Sequence, residues 1–232
     1  MKPAGQRLLL PGAAGNIEVL VEIPGPAPAG FAFIGHPHPL YGGTLENKVV
    51  ATVARAFLAL GWIAVRPNFR GVGASQGSHD GGEGETADFL QVIDAVPRFP
   101  RWQEAGLAAA ALPLALAGFS FGSFVAARAA QDLAARGRPP RHLVLVGAAA
   151  GKWPLPAVDP RALVIHGEVD ETIPLPDVFA WARGSEVPVT VMPGADHFFH
   201  RRLTTLKRLV IEHIAGAERS ERLAGPEAVR DE

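Results

Sequence analysis

The sequence predicts an α/β fold: a mostly parallel sheet covered by helices on both faces. Three observations carry this reading. Short, almost continuously apolar runs recur along the chain, as strands buried on both faces require. The segments between them space their apolar residues at helical intervals. The 232 residues are 48% hydrophobic and 19% charged, enough apolar material for one large domain of this kind.

The elements follow in order. "NIEVLVEI" alternates apolar and polar residues and reads as a half-buried strand, forming a hairpin with the preceding "RLLL". "GFAFIG" is a short buried strand. From Thr44 the period changes, with Val49, Val50, Val53, Phe57 and Leu58 on one helical face and Gly61 as the stop. "WIAVRP" is the next strand, and a helix near 84–96 ends at Pro97. "LPLALAGF" is a strand, and "SFGSFVAARAAQDLAARG" a helix stopped by Gly137. "HLVLVGA" and "ALVIHG" are strands, "PLPDVFAWARG" a helix, and "VPVTVMPG" the last strand. A final helix carries Leu203, Leu206, Leu209, Val210 and Ile214 and ends at Gly216. The domain is therefore expected over 1–216, with 217–232 a charged, flexible tail.

Composition excludes several classes. The net charge of −1 gives nothing to attract nucleic acid or an acidic membrane. The chain has no cysteine, which removes disulfides, thiolate metal sites and cysteine nucleophiles. The N-terminal apolar run is too short for a signal-peptide core, and no run reaches membrane-spanning length. A cytoplasmic location is expected.

Ligands in such folds bind beyond the carboxyl ends of the strands, so the loops there hold the candidates. Two stretches match G-x-S-x-G: "GFSFG" at 118–122 and "GASQG" at 73–77. Only Ser120 lies between an apolar strand and a helix that starts at once, the setting a nucleophile elbow needs. Ser75 sits in a polar, Gly-rich loop and reads as a structural loop serine. A serine nucleophile needs a base, and the base an orienting carboxylate, in the chain order Ser, acid, His. Asp170 follows "ALVIHG" at the site end of the sheet. Asp132 and Asp177 fall within helices, and Asp159 precedes a strand. Glu168 and Glu171 read as exposed loop acids. His197 follows the last strand, beside Asp196, while His200 is expected to point away. Ser120, Asp170 and His197 form the expected triad.

With these residues in hand, the chain resembles the α/β-hydrolase superfamily. It looks most like small bacterial hydrolases with an HPHP-x-YGG motif, related to the dienelactone-hydrolase-like group. The resemblance runs from about residue 16 to 214 through "GHPHPLYGGTLENKVV", "RPNFRGVGASQG", "AGFSFGS", "HGEVDETIP" and "GADHFF". It implies an α/β-hydrolase fold of about eight strands and a Ser–Asp–His triad, and it names no substrate.

An acyl-transfer site also needs two N–H donors for the oxyanion. One is expected at Phe121, the residue after the nucleophile, and the other in the loop after the third strand. Pro37 and Pro39 have no N–H, so only His36 and His38 can donate there. The H-G-x loop of relatives aligns His38 with the donor, and the flanking prolines stiffen it. His36 and His38 as metal ligands are disfavoured, and His36 is expected to tie loops together. "GVGASQG" misplaces its third glycine for a dinucleotide motif and reads as a turn, with Arg70 pairing nearby loops. Lys48 lies near a helix start and reads as a surface residue.

The expectation is a serine hydrolase of small or accessible acyl esters, without cofactor or metal. Only about a dozen residues separate "HLVLVGA" from the next strand, so no lid domain and an open cleft are expected. Tyr41, Phe119, Phe198 and Phe199, with the Phe121 side chain, are candidate apolar walls. A thioesterase or peptidase with the same triad, and a non-catalytic binding protein on this fold, are the rivals.

Overall fold

The computed structural model describes residues 4–224. Eight strands form one sheet in the order β1-β2-β4-β3-β5-β6-β7-β8. β1 (Ala4–Gly12) and β2 (Gly15–Ile23) form the N-terminal hairpin, and β2 also runs antiparallel to β4 (Trp62–Pro67). The other strands are parallel: β3 (Gly30–Gly35), β5 (Leu114–Phe119), β6 (His142–Val146), β7 (Leu163–Gly167) and β8 (Val189–Met192).

Alternate strand residues feed two cores. Phe31, Phe33, Leu116, Leu145 and Val164 face one side, where α2 (Glu83–Ala95), α4 (Phe121–Ala135) and α5 (Leu175–Ser185) pack. Ala32, Ile34, Ala117, Val146 and Ile165 face the other, under α1 (Lys48–Ala59) and α6 (Leu203–Ala224). This double burial is why β3, and β4 up to Arg66, read as continuous apolar runs rather than alternating ones. The register pairs Gly35 of β3 with Gly118 of β5, so the loops after both strands leave side by side.

Three expectations need correction. The helical period begins at Thr44, but α1 starts at Lys48, because the Asn47 side chain accepts from the Val49 and Val50 N–H groups and caps it there. The last helix does not stop at Gly216 and runs on to Ala224. One interior glycine costs only about 1 kcal/mol, and the turns beyond it are tied to the sheet by Arg141–Glu221 at 2.5 Å. Residues 217–224, expected within the tail, thus continue this helix, and the rest of the expected tail, 225–232, lies outside the described residues. A short helix, α3 (Pro100–Glu104), was not foreseen, its five residues being too few to show a period. No helix among the described residues is long and apolar enough to cross a membrane. The connection from Val146 to Leu163 carries no helix.

Candidate active site

The elbow at Ser120 is built by close approach. A Cβ on Gly118 would lie 2.0 Å from the Gly122 carbonyl oxygen, and one on Gly122 would lie 2.4 Å from the Gly35 oxygen. Only glycine at both positions lets β5, β3 and the start of α4 converge. Ser120 has φ 55° and ψ −124°, a strained backbone for a residue with a side chain. Neighbours hold it there. Its N–H donates to Val146 O at 2.9 Å, and its carbonyl accepts from Ser123 N at 2.8 Å and Ser123 Oγ at 2.6 Å. Ser123 Oγ in turn accepts from Ala149 N at 3.0 Å, tying the elbow to the loop after β6.

The three expected triad residues converge. Ser120 Oγ lies 3.0 Å from His197 Nε2, and His197 Nδ1 lies 2.6 Å from Asp170 Oδ2. Asp170 Oδ1 accepts from the N–H groups of Thr172 (2.9 Å) and Ile173 (2.8 Å). Burial pushes the Asp170 carboxyl up, but the His197 hydrogen bond and the Ile173 N–H outweigh it and hold the group below its ordinary value. An ionised carboxylate on Nδ1 keeps the proton there and leaves Nε2 as the acceptor facing the serine hydroxyl.

A further histidine, missed in the sequence, completes this corner. His166, wholly buried in β7, donates from Nε2 to Ile173 O at 2.9 Å and stands 3.4 Å from Asp170 Oδ2. Burial lowers its basicity, so it is a neutral donor. Its only signal was position, four residues before the acid on the same strand end.

Neither the His38 N–H nor the Phe121 N–H has a protein acceptor among the described residues. Their side chains pack with ring centroids 5.2 Å apart. His36 is buried, with Nδ1 donating to Pro37 O at 2.6 Å and Nε2 accepting from Phe69 N at 2.9 Å. It ties the loop after β3 to the loop after β4, and both its nitrogens are taken, so it shares no metal with His38. Burial lowers its pKa to about 4.

The wall residues divide. Tyr41 is 86% exposed beside the His38 ring, and Phe198 is 46% exposed beside the His197 ring. Phe119 and Phe199 are corrections: both have zero exposure and belong to the core under α1 and α6. Phe119 instead backs the His197 ring at 4.9 Å. The Phe121 side chain is buried too and packs edge-on to Trp153 at 4.8 Å. Trp153 and His79 also line this corner and were missed: Trp153 lies in a loop without a motif, and His79 follows "GASQG", which reads as a turn.

The remaining candidates are structural. Ser75 is buried, donating to Asn68 O at 2.7 Å and accepting from Glu18 N at 2.9 Å. Arg70 grips Asp88 through Nε (2.9 Å) and Nη2 (3.0 Å) and reaches Asp80. His200 turns away to Asp196 at 2.6 Å, and Glu168 accepts from Gly194 N. Lys48 opens α1. A cavity of about 260 Å³, lined by Ala130, His142 and His213 among others, lies at the opposite end of the sheet from Ser120.

A serine–histidine–carboxylate geometry on a strand–turn–helix elbow defines the class as α/β serine hydrolases. Comparison with known proteins agrees. The chain is similar to an α/β serine hydrolase without lid from Xanthomonas campestris, at 36% identity, covering 91% of this chain and 94% of that one with a TM-score of 0.77. It is similar to an α/β serine hydrolase homologue from Coxiella burnetii at 37% identity, covering 90% and 97%, also with a TM-score of 0.77. In sequence it is 28% identical over 199 residues to an uncharacterized protein of Rickettsia prowazekii (strain Madrid E), covering 80% of this chain and 79% of that one. Residues 104–155 match a thioesterase domain model. The chain belongs to the family of α/β serine hydrolases without a lid.

Proposed function

We propose that this hydrolase cleaves accessible acyl esters as a carboxylesterase. The observation that carries the reading is the continuous contact from Ser120 Oγ through His197 to Asp170. Ser120 attacks the ester carbonyl carbon while His197 Nε2 takes its proton. The carbonyl oxygen becomes an oxyanion, received by the N–H groups of Phe121 and His38. His197 then protonates the leaving alcohol, and an acyl-Ser120 ester remains. Water, deprotonated by the same nitrogen, attacks the acyl carbon and regenerates Ser120. Asp170 orients His197 and stabilises its charged form.

The thioesterase-domain match over 104–155, which includes Ser120, favours a second reading, a thioester substrate handled by the same triad. Labelling with a fluorophosphonate, followed by parallel assays on p-nitrophenyl esters and acyl thioesters, tests both. The wild type should be labelled and Ser120→Ala should not. Equal labelling of the two, or none of either, would sink the enzyme reading. A higher kcat/KM on the thioester than on the matched ester would select the second.

A further inference from the structure

Beside the elbow stand two imidazoles whose ring nitrogens the fold has assigned. His38 Nδ1 accepts the Leu40 N–H at 3.2 Å, so the neutral ring carries its proton on Nε2. His79 Nδ1 lies 2.8 Å from Oε1 of Glu85. That carboxyl is wholly buried; burial and the adjoining Asp80 side chain push its pKa up, while Oε1 accepts the Asp80 N–H (3.3 Å) and Oε2 the Gly82 N–H (2.8 Å). With Oε1 in that accepting role, His79 Nδ1 is the donor. In that tautomer the ring presents a lone pair at Nε2. The two rings lie 4.5 Å apart at 54°. No hydrogen bond joins them among the described residues, and neither Nε2 is among the buried nitrogens left without a partner. Both thus open to accessible space.

The surroundings are flat and apolar. Phe121 touches both rings at 5.2 and 5.3 Å, Trp153 lies 5.6 and 6.2 Å from them, and Tyr41 edges His38 at 4.7 Å. The pair also borders the reaction: the His38 backbone is the proposed oxyanion donor, and Phe121 follows Ser120.

We infer that His38 Nε2–H and His79 Nε2 form a hydroxyl-recognition subsite, selecting esters with a hydroxylated aromatic group. A hydroxyl donates one hydrogen bond and accepts others, so it satisfies both nitrogens at once. A carboxylate would meet the His79 lone pair, an ammonium would meet the His38 proton, and a hydrocarbon would strip water from both without replacing it. Sites that hydrogen-bond a substrate hydroxyl reject the analogue lacking it more strongly than apolar pockets reject extra bulk. The assignment of a substrate class rests on the serine-hydrolase reading; the subsite itself does not.

Two measurements separate these. The first compares kcat/KM for matched esters with and without a para-hydroxyl. One arm carries it on the acyl side (p-nitrophenyl 3-(4-hydroxyphenyl)propanoate against the 3-phenylpropanoate), the other on the alcohol side (2-(4-hydroxyphenyl)ethyl acetate against 2-phenylethyl acetate). The wild type should prefer the hydroxylated ester about tenfold in one arm, which identifies the side recognised. His79→Phe and His38→Phe, which keep a flat ring, should each bring that ratio to within about twofold of unity. A wild-type ratio near one in both arms, or a preference that survives both variants, overturns the subsite. The second needs no turnover: binding of 4-ethylphenol and its methyl ether to Ser120→Ala protein. The phenol should bind at least about fivefold tighter, and His79→Phe in the same background should abolish the difference. Equal binding overturns the subsite. A phenol preference in a protein that hydrolyses no ester upholds the subsite and removes the hydrolase reading instead.

Discussion

His166 Nε2 stands 3.4 Å from Asp170 Oδ2, the same oxygen that His197 Nδ1 meets at 2.6 Å. The carboxylate is thus shared between the proposed base and a buried neutral imidazole anchored to Ile173 O. At 3.4 Å the contact is weak, and about 1 kcal/mol is a reasonable bound on its orienting effect. His166→Phe should therefore lower kcat about fivefold with KM within about twofold of wild type. Steady-state kinetics on one ester checks this, and a KM effect with unchanged kcat would assign His166 to packing alone.

The oxyanion proposal separates backbone from side chain at one position. His38→Ala keeps the N–H, whereas His38→Pro removes it. Losing one oxyanion donor costs about 3–4 kcal/mol, so His38→Pro should lose about 100- to 1000-fold in kcat relative to His38→Ala. Circular dichroism would confirm that both fold. Equal activities for the two would remove His38 from the oxyanion site.

His36 makes stability depend on pH. Its folded pKa is lowered to about 4 by burial, against 6.5 for the free imidazole. Below pH 6.5 the unfolded chain takes up a proton that the folded one refuses until about pH 4. The contribution is therefore complete above 6.5 and lost as pH falls through that window, by about 3 kcal/mol in all. Urea unfolding of wild type and His36→Asn at pH 7, 5.5 and 4 should show their difference in stability shrinking by that amount. A constant difference would refute it.

Two glycines should respond oppositely to alanine. On Gly118 the new Cβ would sit 2.0 Å from a backbone oxygen that cannot move aside, whereas on Gly184 it meets nothing within 4 Å. Gly118→Ala should cost at least about 3 kcal/mol or prevent folding. Gly184→Ala, near the end of α5, should stabilise by about 0.5 kcal/mol. Thermal denaturation compares them.

The sheet was legible because its strands are buried on both faces, and "GFAFIG" and "ALVIHG" have no other reading. Ser120 was separable from Ser75 because one precedes a helix and the other a loop, a difference written locally. Asp170 and His197 followed from strand order. What the sequence concealed depends on three-dimensional neighbours. Phe119 and Phe199 lie one and two residues from Ser120 and His197 in the chain, yet strand alternation sends Phe119 into the core and a left-handed turn at φ 53° sends Phe199 there. His79 and Trp153 reach the site from separate loops with no periodic pattern to announce them. The end of α6 was misplaced because Gly216 looks like a stop, while the contacts that override it come from Arg141, some 80 residues away.

Asp170 is gripped by the N–H groups of Thr172 and Ile173, not by their side chains. The acid's placement is therefore encoded in the course of the main chain around a turn. Such a device is indifferent to vocabulary: the exposed Glu171 and Thr172 are free to be rewritten, provided position 172 is not proline. Someone grafting this turn onto another scaffold would need to copy its path and one carboxylate, and could spell the rest to suit the new host.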